Sequence, residues 1–283
     1  MNIQWYPGHM TKTRRMIAEQ IKNVDAVCEI LDARIPVSSR NPDVDELTAG
    51  KPRMVVLNRV DQADPEGTKR WAEHFRAKGY AVLESDAKSG VGTAKFAGAV
   101  RELLADKLRA YAEKGMTGRV VRVMILGIPN VGKSAILNRL IGEKRLKEGN
   151  KPGVTRGLTW VRLSPYLECM DSPGLLWPKI HDERTGAVIA LIGSVRQEIL
   201  DEEELAYYLI RLLSEVRPDL LRDRYGIEEI PEDAYEALQE ICRKRGFLMR
   251  GGVADVERGC KTLLEEFRNG KLGTITFELP GEV

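Results

Sequence analysis

Gly127-Ile-Pro-Asn-Val-Gly-Lys-Ser134 fits the pattern G-x-x-x-x-G-K-[ST] in full. An apolar run with β-type residues, 120–126, leads into it, and a helical pattern, 135–141, follows. A cradle for phosphate groups needs all of these parts. The glycines let successive backbone N–H groups, through Asn130, Val131 and Gly132, turn inward toward phosphate oxygens. Lys133 then reaches the β- and γ-phosphates, and the Ser134 hydroxyl ligates Mg²⁺. The N-terminus of the following helix adds its dipole. An ordinary glycine-rich turn is the plain alternative, and the full match between correct flanks argues against it.

Outward from this loop, short apolar runs alternate with helical patterns. Strands are expected at 26–31, 54–57, 81–83, 121–126, 159–163 and 167–170, with helices at 68–78 and 93–113. Such alternation implies an α/β fold with a doubly wound, mostly parallel sheet. Ligands of such sheets bind at the C-terminal ends of the strands. Beyond residue 186 the β-type runs nearly vanish. Amphipathic helices are expected at 202–213, 233–244 and 253–267, and a short strand at 274–279. The expected organisation is therefore an α/β domain over 1–185 and a small helical domain over 186–283. No internal repeat or low-complexity segment interrupts it.

The chain has 283 residues, with 43% hydrophobic and 30% charged residues and a net charge of +2. The charge is unevenly spread. Residues 1–185 carry 31 Lys and Arg against 22 Asp and Glu, whereas 186–283 carry 13 against 20. The first part suits a polyanion, and the second is not uniformly suited to one. Cys28, Cys169, Cys242 and Cys260 form no C-x-x-C pair, which points to free thiols in a reducing compartment. No apolar run has the length of a membrane span, and the opening residues do not resemble a signal or transit peptide. A cytoplasmic location with no membrane partner is expected.

Three more segments define the nucleotide. Asp171-Ser-Pro-Gly174 follows a strand and matches D-x-x-G, in which Asp171 holds the Mg²⁺ shell and the Gly174 N–H meets the γ-phosphate. Pro152-Gly-Val-Thr155 lies between it and the phosphate loop. There Thr155 can ligate Mg²⁺ and sense the γ-phosphate, or the segment is a plain Pro-Gly turn. Asn58-Arg-Val-Asp61 follows another strand and resembles the guanine-reading N-K-x-D, with Arg59 in place of lysine. The Asp61 carboxylate accepts from guanine N1–H and its 2-amino group. Adenine lacks that amino group and presents an acceptor at N1, so an unpaired carboxylate would cost roughly 1–3 kcal/mol or more. Asn58 would bond the N7 edge and brace the loop, and the Arg59 stem would cover the base. Ser85-Asp-Ala-Lys88 fits the last base-reading loop, where the Ala87 N–H would meet guanine O6. An ATP-dependent kinase reading fits poorly, because Asp61 selects against adenine.

In ordinary small GTPases the phosphate loop comes first and the base-reading segments last. Here the order is reversed, as a circular permutation of one sheet would produce. Trp5-Tyr-Pro-Gly-His-Met10, Asp32-Ala-Arg-Ile-Pro36 and Asp171-Ser-Pro-Gly-Leu-Leu-Trp-Pro178 complete the pattern, with Arg243-Lys-Arg-Gly246, Gly251-Gly252 and 267–273 in the second part. On these motifs the chain resembles the circularly permuted GTPases of ribosome assembly over nearly its whole length. Arg59 and the Ser85–Lys88 loop depart from the family pattern.

The resemblance implies a GTPase, using GTP/GDP and Mg²⁺, that binds a late precursor of the large ribosomal subunit and leaves after hydrolysis. Its partners would be rRNA and ribosomal proteins, and the protein is expected to be a monomer off the ribosome. Leu175 stands where many GTPases carry a water-orienting Gln, so another group must position the water. His9 is the candidate that the resemblance points to; contact with rRNA or simple packing are its alternatives. Asn130 would hold a K⁺ ion that bridges the phosphates, or else only brace the loop. The basic residues Lys12, Arg14, Arg15, Lys144, Arg145, Arg243, Lys244 and Arg245 would contact RNA phosphates. Opposed to the enzyme reading stands an RNA-binding switch whose turnover is incidental.

Overall fold

Six strands carry the fold: β1 (Ala26–Asp32), β2 (Arg53–Asn58), β3 (Ala81–Ser85), β4 (Val121–Leu126), β5 (Thr159–Ser164) and β6 (Leu167–Asp171). The computed structural model describes residues 8–143, 146, 157–178, 180 and 182–281, excluding the side chains of His9 and Gln197. Every residue of β1 is buried, as expected of a central strand covered on both faces; its one mid-strand charge, Glu29, is met by Arg40 and Arg53. The strands lie in the order β3-β2-β1-β4-β6-β5. All neighbours are parallel except the edge pair β5–β6. The C-terminal ends of β1, β2, β3, β4 and β6 consequently share one edge. This is the doubly wound sheet the sequence implies, with the base-reading strands preceding the phosphate-loop strand in the chain.

Around and beyond the sheet run α1 (Gly8–Gln20), α2 (Asp43–Leu47), α3 (Pro65–Ala77), α4 (Phe96–Leu103), α5 (Ala105–Glu113), α6 (Lys133–Ile141), α7 (Glu183–Leu191), α8 (Glu202–Val216), α9 (Pro218–Tyr225), α10 (Ala234–Arg245) and α11 (Val256–Arg268). Aspartate side chains cap α7, α8, α10 and α11 by accepting backbone N–H groups of the first turn: Asp182, Asp201, Asp233 and Asp255. Each such cap contributes about 1 kcal/mol. A boundary between 185 and 186 falls inside α7.

Two expectations are corrected. The helix expected over 93–113 is broken: a short 3-10 turn, Thr93–Lys95, precedes α4, and the chain leaves helical geometry at Leu104 before α5. Leu104 is buried at that break, so its side chain is anchored in the core where the helical geometry lapses. The segment expected as a strand at 274–279 pairs with no strand. It runs past the strand ends and bonds to loops, Ile275 N–H donating to Gln62 O and Phe277 N–H to Arg34 O. The sequence reading also overlooks α7. Its residues 186–191 are all buried, and an all-round apolar helix shows no 3.6-residue contrast.

One contiguous apolar core runs from the sheet into α8, α10 and α11. A second, smaller cluster packs α3 through Trp71, Ala72 and Phe75 onto Leu31, Val55 and Leu57. Between sheet and helices sits a buried ion pair. Arg34 donates twice to Asp32, Nε to Oδ1 at 2.9 Å and Nη2 to Oδ2 at 2.8 Å. The same guanidinium lies 4.9 Å from the Phe267 ring centre on α11 and donates to Phe267 O. Burial, the largest single influence, would raise the Asp32 carboxyl, but the charge and hydrogen bonds of Arg34 together with the charge of Arg59 hold it below its ordinary range.

Arg34→Met would leave the Asp32 charge buried without its main partner. The expected loss is about 3–5 kcal/mol of unfolding free energy, read by urea denaturation, with partial recovery in Arg34→Met/Asp32→Asn. An unchanged denaturation midpoint would show that the pair does not hold the two regions together.

Candidate functional site

Parallel register brings the sequence motifs to one edge. Asp32 is paired with Asn58, Asn58 with Ser85, and Ile125 with Asp171. The phosphate loop leaves β4, Asp171 ends β6, Asn58 ends β2, and Ala87 follows β3. All line or border one cleft. A cavity of about 670 Å³ opens there, lined by Asn58, Asp61, Ala87, Lys88, Gly132 and Asn269 among others.

The loop geometry needs its glycines. Gly132 has φ +98°, and a Cβ there would lie 2.2 Å from Asn58 Nδ2. That contact is a strut. The Asn58 amide donates to Val131 O at 2.7 Å, and its Oδ1 accepts from Ala87 N–H at 3.3 Å. One side chain thus joins the phosphate loop to both base-reading loops. Arg59, at φ +65°, donates to Asn130 O at 2.9 Å and to Arg268 O at 3.3 Å, with Asp32 Oδ2 3.7 Å away. Its guanidinium is therefore committed to the protein rather than stacked over the cavity, which its residue lines. Asp61 is exposed toward the same cavity. Partial burial and the neighbouring Asp86 carboxylate push its pKa up, so donors arriving from a base edge would relieve it.

At the phosphate end Lys133 is buried. Its Nζ donates to Gly127 O at 3.1 Å and Ile128 O at 2.7 Å. Burial lowers its pKa to about 8, against the opposing pull of Asp171. The Ser134 hydroxyl donates to Asp171 Oδ2 at 2.9 Å. Burial raises the Asp171 carboxyl, with Lys133 and Ser134 acting the other way. Asp171 Oδ1 is buried with no hydrogen-bond partner among the described residues. The half-buried Ser134 hydroxyl and the buried Asp171 carboxylate, beside the buried Lys133 ammonium, fit a Mg²⁺–phosphate group. Mg²⁺ is commonly held by one or two protein ligands together with phosphate oxygens and water, and among the described residues no group of three or more His, Cys, Asp or Glu is placed to hold a metal ion by itself.

The D-x-x-G turn packs against the phosphate loop. A Cβ on Gly174 would come within 2.6 Å of Pro129 backbone atoms. Leu175 is buried, its N–H donating to Gly127 O and its carbonyl accepting from Asn41 Nδ2. It offers an attacking water nothing. Asn130, at φ +62°, donates its side-chain amide to Gly193 O just after α7. Ser194 Oγ donates to Pro129 O at 2.6 Å.

Thr155, Lys144 and Arg145 lie outside the described residues, as does the side chain of His9, whose backbone sits in the first turn of α1. Lys12 and Arg15 are exposed on α1, and Arg14 pairs with Asp43 and Glu46. On α10, Arg243 pairs with Glu240, Lys244 is exposed, and Arg245 pairs with the buried Glu266. Sequence reasoning missed Lys88, Arg268 and Asn269 as lining residues. Lys88 was within reach as the end of the Ser85–Lys88 motif. Arg268 and Asn269 lie about two hundred residues from the base-reading loop, and only folding brings them near.

A family model described as "50S ribosome-binding GTPase" matches residues 122–245. The match begins at β4, which suits a permuted order in which β1–β3 precede the phosphate loop. The chain is 44% identical to ribosome biogenesis GTPase A of Priestia megaterium, over all of this chain and 98% of that protein. It is 32% identical to the protein of the same name from Thermotoga maritima, over 99% of this chain and 96% of the relative. It is 30% identical to mitochondrial ribosome-associated GTPase 1 of Xenopus tropicalis, over 97% and 94%. Among solved structures, GNP-bound YlqF from T. maritima superposes with a TM-score of 0.66 at 29% identity, covering 96% of this chain and all of that one. Its GDP-bound form matches equally well.

The depressed Lys133 pKa has a direct consequence. Phosphate charge would raise it in the complex, so above about pH 8 binding requires proton uptake. GDP affinity should be flat from about pH 6.5 to 7.5 and fall up to about tenfold by about pH 9, measured with a fluorescent GDP. Affinity independent of pH across that window would contradict a buried, partly neutral Lys133.

Proposed function

Because the chain belongs to the ribosome biogenesis GTPase A family, we propose that it is an assembly factor for the large ribosomal subunit, acting late as a GTP-dependent checkpoint. It is a GTPase, converting GTP and water to GDP and phosphate. The observation that carries the reading is the convergence of the phosphate loop, Asp171 and the Asn58–Asp61 segment on one sheet edge, in a chain similar to ribosome biogenesis GTPases along its entire length.

Each residue has a task in this mechanism. Asp61 reads the guanine N1–H and 2-amino edge, while Asn58, Arg59 and Ala87 shape the base site. The N–H groups of Asn130, Val131 and Gly132 cradle the phosphates, and Lys133 contributes its charge. Ser134, Thr155 and Asp171, the last through water, would hold Mg²⁺, which neutralises charge developing on the phosphates. The Gly174 N–H meets the γ-phosphate. Since Leu175 is buried and apolar, His9 positions the attacking water as a neutral imidazole. Asn130 would help to hold a K⁺ ion, which would supply further positive charge.

Residues 186–283 act as a helical unit facing the ribosome. Lys12, Arg14, Arg15, Lys144, Arg145, Arg243, Lys244 and Arg245 contact rRNA phosphates, without base readout. The protein works in the cytoplasm as a monomer until it meets the precursor particle. No helix among the described residues is long and apolar enough to cross a membrane. A second reading, a nucleotide switch with incidental turnover, draws its support from Leu175.

GTP turnover with and without purified large subunits, in K⁺ and in Na⁺, separates the two. The expected result is strong stimulation in K⁺, lost in His9→Ala by about 10²–10⁴-fold while GTP affinity persists. Equal turnover with subunits, with their precursors and alone would favour the switch.

A further inference from the structure

The segment after α11 does not end at the helical bundle. It returns to the nucleotide cleft and crosses the loop that carries Asp61. Arg268 O accepts from Arg59 Nη1 at 3.3 Å, while the Arg268 guanidinium is tied off on Leu191 O and Ala190 O at the end of α7. Gly270, at φ +72°, passes so close to Gln62 that a Cβ would lie 2.7 Å from its Cγ. Ile275 N–H donates to Gln62 O at 3.0 Å. Thr276 Oγ1 accepts from Asp64 N–H at 3.1 Å and donates to Ala33 O at 3.3 Å. Trp71 Nε1 donates to Glu278 O at 2.6 Å. Ile275, Thr276, Phe277 and Glu278 are all buried. Asn269 stands exposed at the turn and lines the same cavity as Asp61 and Ala87.

We propose that residues 268–278 form the missing wall of the guanine site: Asn269 contacts the nucleoside directly, and the strap behind it positions the Asn58–Asp64 loop for reading the base. The inference rests on the assignment of this cavity to the guanine end of the nucleotide.

The physical argument is one of preorganisation. Asp61 is exposed, on a loop entered through the left-handed Arg59. Such a loop would lose conformational freedom on binding unless something already held it. The strap supplies hydrogen bonds to Gln62 and Asp64 of this loop and to Ala33. An amide at position 269 offers both a donor and an acceptor to ribose hydroxyls or a base edge. Because α11 leads directly into the strap, a partner that displaces α11 would loosen guanine-nucleotide binding from the base end.

The test measures GDP affinity and dissociation rate with fluorescent GDP, alongside the thermal midpoint of the ligand-free full chain. Asn269→Ala should weaken GDP by about three- to tenfold without moving the midpoint. Gly270→Ala should speed GDP release by about tenfold or more. Gly226→Ala is the control for backbone strain: it has φ +67° and nothing within 4 Å of its new Cβ, so it should lose comparable stability but keep GDP release unchanged. Asp61→Asn tests the underlying assignment, because its amide mismatches the guanine edge and should abolish GDP binding while admitting xanthosine diphosphate.

If Asp61→Asn fails and both strap variants bind GDP as the parent does, the strap proposal is overturned and the base-site assignment stands. If Gly226→Ala speeds release as much as Gly270→Ala, the effect is general destabilisation and the positioning role is overturned. If Asp61→Asn keeps GDP, the assignment itself falls.

Discussion

The Asn58 side chain is the tie on which the cleft depends. It occupies the end of β2 yet bonds the loops that follow β3 and β4. Three loops from three strands thereby share one amide, with both its donor and acceptor in use. The arrangement works only because Gly132 has no Cβ and because parallel register brings the strand ends level. A buried polar network of this kind is strong when every member is satisfied and costly when one is missing. It makes the base site and the phosphate site a single object.

That object is indifferent to the order in which the chain visits it. The strand ends meet at one edge whether β2 precedes β4 or follows it, because hydrogen-bond pairing and not chain sequence sets the neighbours. Permutation does change where the chain goes next. After Asp171 it enters Leu175 and Leu176, both buried, and then α7, whose end braces the phosphate loop through Gly193 and Ser194. The phosphate loop is therefore held by the helical region on one side and by the base-reading loop on the other. The Asp32–Arg34–Phe267 stack fastens the same two regions further along the edge.

The charges of the cleft are arranged for an anion. Among the described residues, Lys133 is buried with only backbone carbonyls as hydrogen-bond acceptors, and Asp171 is raised by burial with one oxygen orphaned. Each group is uncomfortable alone. Phosphate oxygens and a divalent cation relieve both together, so binding draws on electrostatic strain already present in the fold.

The sequence by itself determined the elements whose chemistry is local. The phosphate loop, Asp171-Ser-Pro-Gly174 and Asn58-Arg-Val-Asp61 are legible because each is a short run whose residue types serve one loop conformation. The β-runs are legible because a buried parallel strand is mostly apolar. Their reversed order was enough to imply permutation. What only the tertiary structure decided lies in contacts of long sequence separation: the commitment of Arg59 to Asn130 and Arg268, the burial of Glu266 under Arg245, and the return of 268–278 to the base cavity. Residues 274–279 alternate like a strand, yet they bond to Gln62, Arg34 and Asp64 in loops. Periodicity records which faces a segment buries but carries no information on which distant loop will cover them. That choice belongs to the packing of the whole chain.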